Sequence, residues 1–318
     1  MNTDITIQVT GPGAQAEHLI DQARRLFARV ELACTRFDPD SALMQANRAG
    51  ESWVEVPSEC YLAIAEAEGA HVETQGLFDP RVLETLVGLG YDRTLAFGDG
   101  PVRLSSGTRP EGIPLILPSP AAAAASSRRP PWTPGLDRAR RAVRIGPLPI
   151  DLGGIGKGLA VRWASHLLVE AGAGHLVEAG GDCALAGPSP DGGPWRIGVE
   201  DPFGGDQPVA VLALHDTAVA TSSLRKRTWQ LDGRQVHHLI DPRSGACVDG
   251  GLRSVTVLDT DAARAEVWSK ALLVAGRRHI AELATEKALP ALWVDDSGRL
   301  AATPELHETI IWSCRDVH

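Results

Sequence analysis

The chain has 318 residues, 43% hydrophobic and 22% charged, with a formal net charge of −9. That length can bury a core as one large domain or two modest ones, and the composition is that of a soluble globular protein. The acidic balance argues against nucleic acid or an anionic membrane as a bulk partner, and no uninterrupted apolar stretch is long enough to span a bilayer.

Residues 5–10 alternate as a strand, and the preceding Met1 to Asp4 carries no charged-then-apolar leader. Ile20, Ala23, Phe27, Val30 and Leu32 then space out a long helix running toward Cys34. A turn-rich link, Thr35-Arg-Phe-Asp-Pro-Asp-Ser41, follows, with Ser41 placed to cap a short helix from Ala42 to Asn47. Residues 53–57 read as a strand, and Ser58 opens a helix to about His71. Gly76-Leu-Phe-Asp-Pro80 leads into another helix, with Pro80 suited to its first turn. Phe78-Asp79 is either a buried aromatic beside a helix cap or an aromatic and a carboxylate lining a ligand cleft. Residues 107–135, rich in Pro and Ala, read as an irregular surface insertion and not as a domain boundary.

The glycines concentrate between Asp151 and Gly187. Asp151-Leu-Gly-Gly-Ile-Gly-Lys-Gly158 feeds a helix carrying Ala160, Ala164, Leu167, Leu168 and Ala171, with Gly172 at its end. A short apolar run and Gly180-Gly181-Asp182 come next. A glycine-rich loop at a helix start leaves N–H groups for an anion, and Lys157 adds a mobile positive charge. Two familiar phosphate loops do not match. Gly158 stands where a P-loop needs Ser or Thr, and Leu159 where the dinucleotide fingerprint needs its third glycine. A tight strand-to-helix turn without a ligand remains the other reading.

Strands follow at 195–200 and 209–214, and Asp232-Gly233 signals a hairpin. Leu252 to Leu258 is a further strand. Thr260 or Asp261 caps a helix to Gly276, and a further helix, a strand near Leu292 and a small C-terminal hairpin complete the chain. Strands and helices mix without regular βα alternation, which favours an α+β fold of mixed sheets with helices packed on them. His237 and His238 are the acid–base candidates. In a strand only one of two neighbours faces a given side, and His238, three residues before Asp241 and near Thr221-Ser222, is the one placed for proton transfer. Glu266 and Lys270, four apart, share a helix face, the simple reading being a surface ion pair. The five cysteines are scattered and form no CxxC, so they read as reduced thiols of a cytoplasmic protein and not as metal ligands.

Taken together, these segments resemble the FAD:protein FMN transferases, the ApbE flavin transferase family. The matches are Thr35-Arg-Phe with Ser41 and Asn47, Gly76 to Pro80, Asp151 to Gly158, Gly180 to Asp182, Ala220 to Ser222, His238 to Gly245, and Ala265-Glu266 through Ala271. They occur in the family's order and cover nearly the whole chain, outside the insertion at about 107–135. The resemblance implies one catalytic domain over residues 1–318 that splits FAD and passes FMN to a Thr or Ser hydroxyl of an acceptor flavoprotein, releasing AMP. It also implies Mg²⁺. An FAD pyrophosphatase giving FMN and AMP, or a flavin-binding protein without catalysis, are the alternatives. By similarity His238 is the base, while Met1, Phe78, Asp79, Asp151, Lys157, Thr221 and Asp241 line the flavin or nucleotide pocket. Metal positions fall at Gly154, Glu266, Ser269 and Lys270. Family members often carry Asp and Thr at the positions of Glu266 and Lys270, and a protonated lysine has no lone pair to give a metal. The expectation is a weakened or absent Mg²⁺ site in which Lys270 replaces part of the ion's charge.

Overall fold

The computed structural model describes residues 3–11, 14–97, 102–105, 129–172 and 174–318. The chain gathers into two units, each built from non-contiguous stretches. The first contains Met1–Leu32, Gly153–Ser223 and Gly250–His318; the second contains Ala33–Leu152 and Leu224–Asp249.

The chain begins with β1 (Ile5–Val9) and α1 (Ala14–Cys34). The α1 core stripe is Leu19, Ala23, Leu26, Phe27, Val30 and Ala33; Leu32, expected on that stripe, lies off its repeat and is 68% exposed. The second unit starts with α2 (Ala42–Ala49), where the Ser41 hydroxyl accepts from the Met44 N–H as anticipated. Then come β2 (Val54–Glu55), α3 (Ser58–Glu73), α4 (Leu83–Gly88), β3 (Val102–Leu104), β4 (Gly135–Asp137) and β5 (Ala142–Arg144). Pro80 precedes α4 and does not sit in its first turn. The Asp79 carboxylate accepts the Arg81 N–H and shapes an extra turn there.

Part of the expected insertion is also built into the fold. Residues 106–128 lie outside the described residues, but from Arg129 onward the chain is placed. Trp132 is buried, donating its indole N–H to the Ile145 carbonyl at 3.1 Å. The buried Trp132 ring anchors this end of the Pro-rich segment, helped by Arg81, which donates to the Pro130 carbonyl at 2.9 Å, and by Arg129, which donates to the Arg81 carbonyl at 2.7 Å.

The first unit resumes with α5 (Gly156–Leu168), β6 (His175–Ala179), β7 (Asp182–Ala186), β8 (Trp195–Val199), β9 (Ala210–Leu214) and β10 (Thr217–Ser223). The second unit then adds β11 (Thr228–Leu231), β12 (Arg234–His237), β13 (Ile240–Asp241) and β14 (Ala246–Cys247). The β11–β12 hairpin turns through Asp232 and Gly233, both at positive φ (49° and 78°), as its Asp-Gly signal required. The chain finishes in the first unit with β15 (Leu252–Asp259), α6 (Ala262–Ala275), α7 (Ile280–Glu286), β16 (Ala291–Asp295), β17 (Leu300–Ala302), α8 (Pro304–His307) and β18 (Ile310–Ser313).

In the first unit a seven-stranded sheet of order β1-β6-β7-β10-β15-β16-β17 is antiparallel throughout. Helix α5 packs on β6 and β7, and α6 on β10 and β15. The opposite face presents Cys183, Leu185, Val219, Leu258, Leu292 and Val294 to Trp195, Leu212 and Leu214 of a three-stranded sheet, β18-β9-β8. The last two strands do not pair with each other: β17 forms a hairpin with β16, while β18 crosses to β9. β18 is thereby one edge of the smaller sheet, with Ile311 and Trp312 exposed. In the second unit, Tyr91, Phe97 and Trp229 form an aromatic core, with Trp229 donating its indole N–H to the Leu89 carbonyl at 2.7 Å. No described helix is long and apolar enough to cross a membrane.

Candidate functional site

The glycine-rich stretch works by letting two helices touch. A Cβ on Gly158 would sit 2.5 Å from the Ala262 carbonyl oxygen and 2.7 Å from the Ala263 Cα. With hydrogen there instead, the start of α6 lies directly against the start of α5. Asp261 fixes where α6 begins, its carboxylate accepting from the Ala263 and Arg264 N–H groups. One turn later Glu266 therefore points at the open end of α5, and its Oε2 accepts the Gly158 N–H at 2.8 Å.

Three more charges converge there. Lys157 donates to Glu266 Oε1 at 2.5 Å and to Asp182. Lys270 donates to the same Oε1 at 3.0 Å and to the Glu266 carbonyl at 3.5 Å. Asp182 arrives through Gly180-Gly181, both at positive φ (61° and 94°), a two-residue turn that pairs Ala179 with Asp182 across β6 and β7. Ser269 donates to the Glu266 carbonyl at 2.9 Å and shares a hydrogen bond with Ser222 of β10 at 2.8 Å. Gly154 lies in the turn just before α5. Thus Lys157, Glu266, Ser269 and Lys270, all named from the sequence, are brought together. The surface ion pair expected for Glu266 and Lys270 is overturned, because α6 turns that face inward and Glu266 is fully buried.

The cluster is layered. The side chains of Glu266 and Asp182 are 0% and 2% exposed, those of Lys157 and Lys270 14% and 16%. Burial pushes the Glu266 carboxyl up, but Lys157, Lys270 and the Gly158 N–H outweigh it and hold the group at about 2. Burial pulls Lys157 down, yet its two carboxylates leave it above the ordinary lysine value. For Asp182 burial prevails over Lys157, and its carboxyl is raised; for Lys270 burial prevails over Glu266, and its ammonium is lowered.

This donor set does not fit a divalent ion. Both Glu266 oxygens are engaged by protein N–H groups, the group at the fourth position is the Lys270 ammonium, and Lys157 already pairs with both carboxylates. Among the described residues, no three His, Cys, Asp or Glu side chains gather as a metal set.

The second unit holds the other candidates. Asp151 pairs with Arg36 at 3.0 Å, and Arg36 lies against the rings of Phe37 and Tyr91 at 4.2 and 4.3 Å. Phe78 and Asp79 are both buried, with Asp79 held in a two-pronged bond by Arg81 at 2.9 and 2.7 Å. Beside them His71 accepts the Trp132 N–H on Nε2, so its Nδ1–H donates to the Phe78 carbonyl. His237 ends β12 with its Nε2 at 3.2 Å from the Val248 carbonyl, while its backbone exchanges contacts with the Cys247 thiol. His238 follows, just past the strand; both histidines are half-buried, so neither is the exposed neighbour that simple alternation suggests. Asp241 accepts from Arg243 through both oxygens, at 2.9 and 2.8 Å.

Two candidates stand elsewhere. Thr221 bonds Thr256 at 2.9 Å on the sheet face opposite Ser222, and therefore away from the lysine cluster. Met1 lies outside the described residues. Sequence reasoning passed over Asp182, Arg36 and Arg81 as individual residues. Asp182 carried a usable signal, as the first residue after a Gly-Gly turn and so facing a known side of β7. Arg36 and Arg81 carried none beyond their place in a matching motif.

A family model described as the ApbE family matches residues 1–293. The FAD:protein FMN transferase of Salmonella typhimurium is 28% identical over 219 residues, covering 67% of this chain and 63% of that enzyme. The match thus spans less than two thirds of that relative's length. The FAD:protein FMN transferase of Klebsiella pneumoniae is 27% identical over 273 residues, 81% of this chain and 71% of that one. The crystal structure of the ApbE protein of Thermotoga maritima superposes with a TM-score of 0.81 at 27% identity, covering 97% of this chain and 96% of that one. The flavin transferase ApbE of Vibrio cholerae gives 0.75 at 25%, with the same coverage. The ordered motifs, the mixed α+β fold and the family model agree, and the chain belongs to the ApbE family.

Proposed function

We propose that the chain is an FAD:protein FMN transferase. An acceptor flavoprotein's Thr or Ser hydroxyl attacks the FMN-side phosphorus of FAD. The new P–O ester forms as the pyrophosphate bridge breaks, and AMP leaves. Family membership over residues 1–293 is the observation that carries this reading. The lysine pair at the start of α5 supports it, since phosphoryl transfer depends on oriented donors and cations around the phosphates.

In this reading His238 takes the hydroxyl proton, while Lys157 and Lys270 carry phosphate charge. Phe78, Asp79, Asp151, Thr221, Asp241 and Met1 belong to the flavin and nucleotide sites, directly or by shaping their walls. The enzyme itself works in the cytoplasm, a reading supported by its five free cysteines. The test incubates the protein with FAD and a candidate acceptor domain, reads flavin fluorescence on a denaturing gel, and chromatographs the nucleotides. A fluorescent acceptor band with stoichiometric AMP is the expected result. FMN and AMP with no labelled acceptor, across every acceptor tried, would replace the transferase by a pyrophosphatase. Intact, retained FAD would replace it by a binding protein.

A further inference from the structure

We infer that the cluster of Lys157, Asp182, Glu266 and Lys270 binds phosphate groups without a divalent metal ion, the Lys270 ammonium standing where a cation would. That the bound anion is the pyrophosphate of FAD rests on the transferase reading; the metal-free character does not.

The argument is one of charge and order. Two lysines and two carboxylates sum to zero, so the buried group has no net negative charge with which to hold a dication. The order of burial matters as much as the sum. Both carboxylates are sealed, at 0% and 2% exposure, while both lysine side chains keep some contact with solvent, at 14% and 16%. A cation approaching from solvent meets like charge first, whereas an anion meets its partner. Magnesium also asks for near-octahedral oxygen ligands at short range, and Glu266 has no unshared oxygen to offer.

An anion finds capacity in the same place. Each ammonium carries three N–H donors. Lys157 directs two at Asp182 and Glu266, and Lys270 directs two at Glu266, leaving one on each for a ligand oxygen. The N-terminal end of the thirteen-residue helix α5 adds its own positive field beside them. Asp182 and Glu266 then hold the lysine heads in place, so that the cations are pre-positioned.

The experiment needs neither acceptor nor turnover. Metal-stripped protein is titrated calorimetrically with inorganic pyrophosphate, with and without EDTA, and separately with Mg²⁺ alone. The expected results are pyrophosphate binding unchanged by EDTA and no heat of Mg²⁺ binding. The Lys270→Thr variant, which removes the ammonium and offers a hydroxyl, is expected to lose about tenfold in pyrophosphate affinity without metal, and to regain it with Mg²⁺. Stoichiometric Mg²⁺ binding by the unmodified protein, pyrophosphate affinity that collapses on chelation, or no pyrophosphate binding at all would each overturn the inference. A protein that binds pyrophosphate metal-free yet labels no acceptor keeps this inference and loses the transferase reading; one that labels an acceptor only when Mg²⁺ is present does the reverse.

Discussion

Replacing Gly158 by alanine tests the geometry on which the buried cluster depends. The new Cβ would meet backbone, the Ala262 carbonyl at 2.5 Å and the Ala263 Cα at 2.7 Å, where ordinary contacts begin near 3.4 Å. Neither atom is the end of a flexible side chain, so α5 and α6 must separate locally by about 0.9 Å. That movement stretches the 2.8 Å bond from the Gly158 N–H to Glu266 beyond useful range. Alanine's better helix propensity returns up to about 1 kcal/mol. Overpacking costs about 1–3 kcal/mol, and loss of a hydrogen bond to a charged group about 1.5–3 kcal/mol. The balance is a destabilisation of roughly 2–5 kcal/mol, read by urea denaturation or calorimetry. Gly156→Ala is the control, because a Cβ there meets nothing within 4 Å and should be neutral or mildly stabilising. Equal stability of the two variants would refute the claim that the second glycine exists for helix contact.

Four further substitutions test the cluster and the histidines. The Glu266 carboxyl is held at about 2 against an ordinary 4.5, so its contribution is complete above pH 4.5 and is lost as pH falls toward 2. Glu266→Gln should remove on the order of 3 kcal/mol of stability at neutral pH and flatten the acid limb between those values; an unchanged acid limb would show that the lysines do not hold the group. His71→Phe leaves the Trp132 N–H and the Phe78 carbonyl without partners, and should cost about 1–3 kcal/mol per orphaned group by denaturant titration. His238→Ala should slow FMN transfer by roughly 10²–10⁴-fold with FAD affinity little changed. His237→Ala should instead lower stability while sparing turnover; the opposite pattern would exchange their roles.

Much of this was legible in the residues. Ser41 and Asp261 cap their helices because a short oxygen-bearing side chain before an amphipathic run has one favourable task there. Asp232-Gly233 turns its hairpin because few other residues take two positive φ angles in succession. Lys157 and Glu266 could be named as site residues, but not as partners, since 109 residues separate them and only the α5–α6 contact joins them. Asp182 was half legible: the Gly-Gly turn before it fixes its face of β7, but nothing local says that Lys157 waits on that face. The burial of Glu266 was equally invisible, because a Glu–Lys pair four residues apart reads identically on a wet helix face and a dry one.

Strand β1 pairs with β6, joining Ile5 to Ala179 and Val9 to His175. During synthesis the first strand therefore leaves the ribosome about 170 residues ahead of its partner, a wait of roughly 10–35 s at the usual 5–20 residues per second. Within that interval nearly all of the 33–152 stretch of the other unit emerges and can begin to fold, while a nascent strand remains unpaired. Its composition suits the wait: Thr6 and Gln8 alternate with the apolar positions, and even in the finished sheet it occupies an edge with Ile5 39% exposed. Mutations that make this strand more apolar should lower the yield of folded protein in the cell without lowering the stability of what does fold.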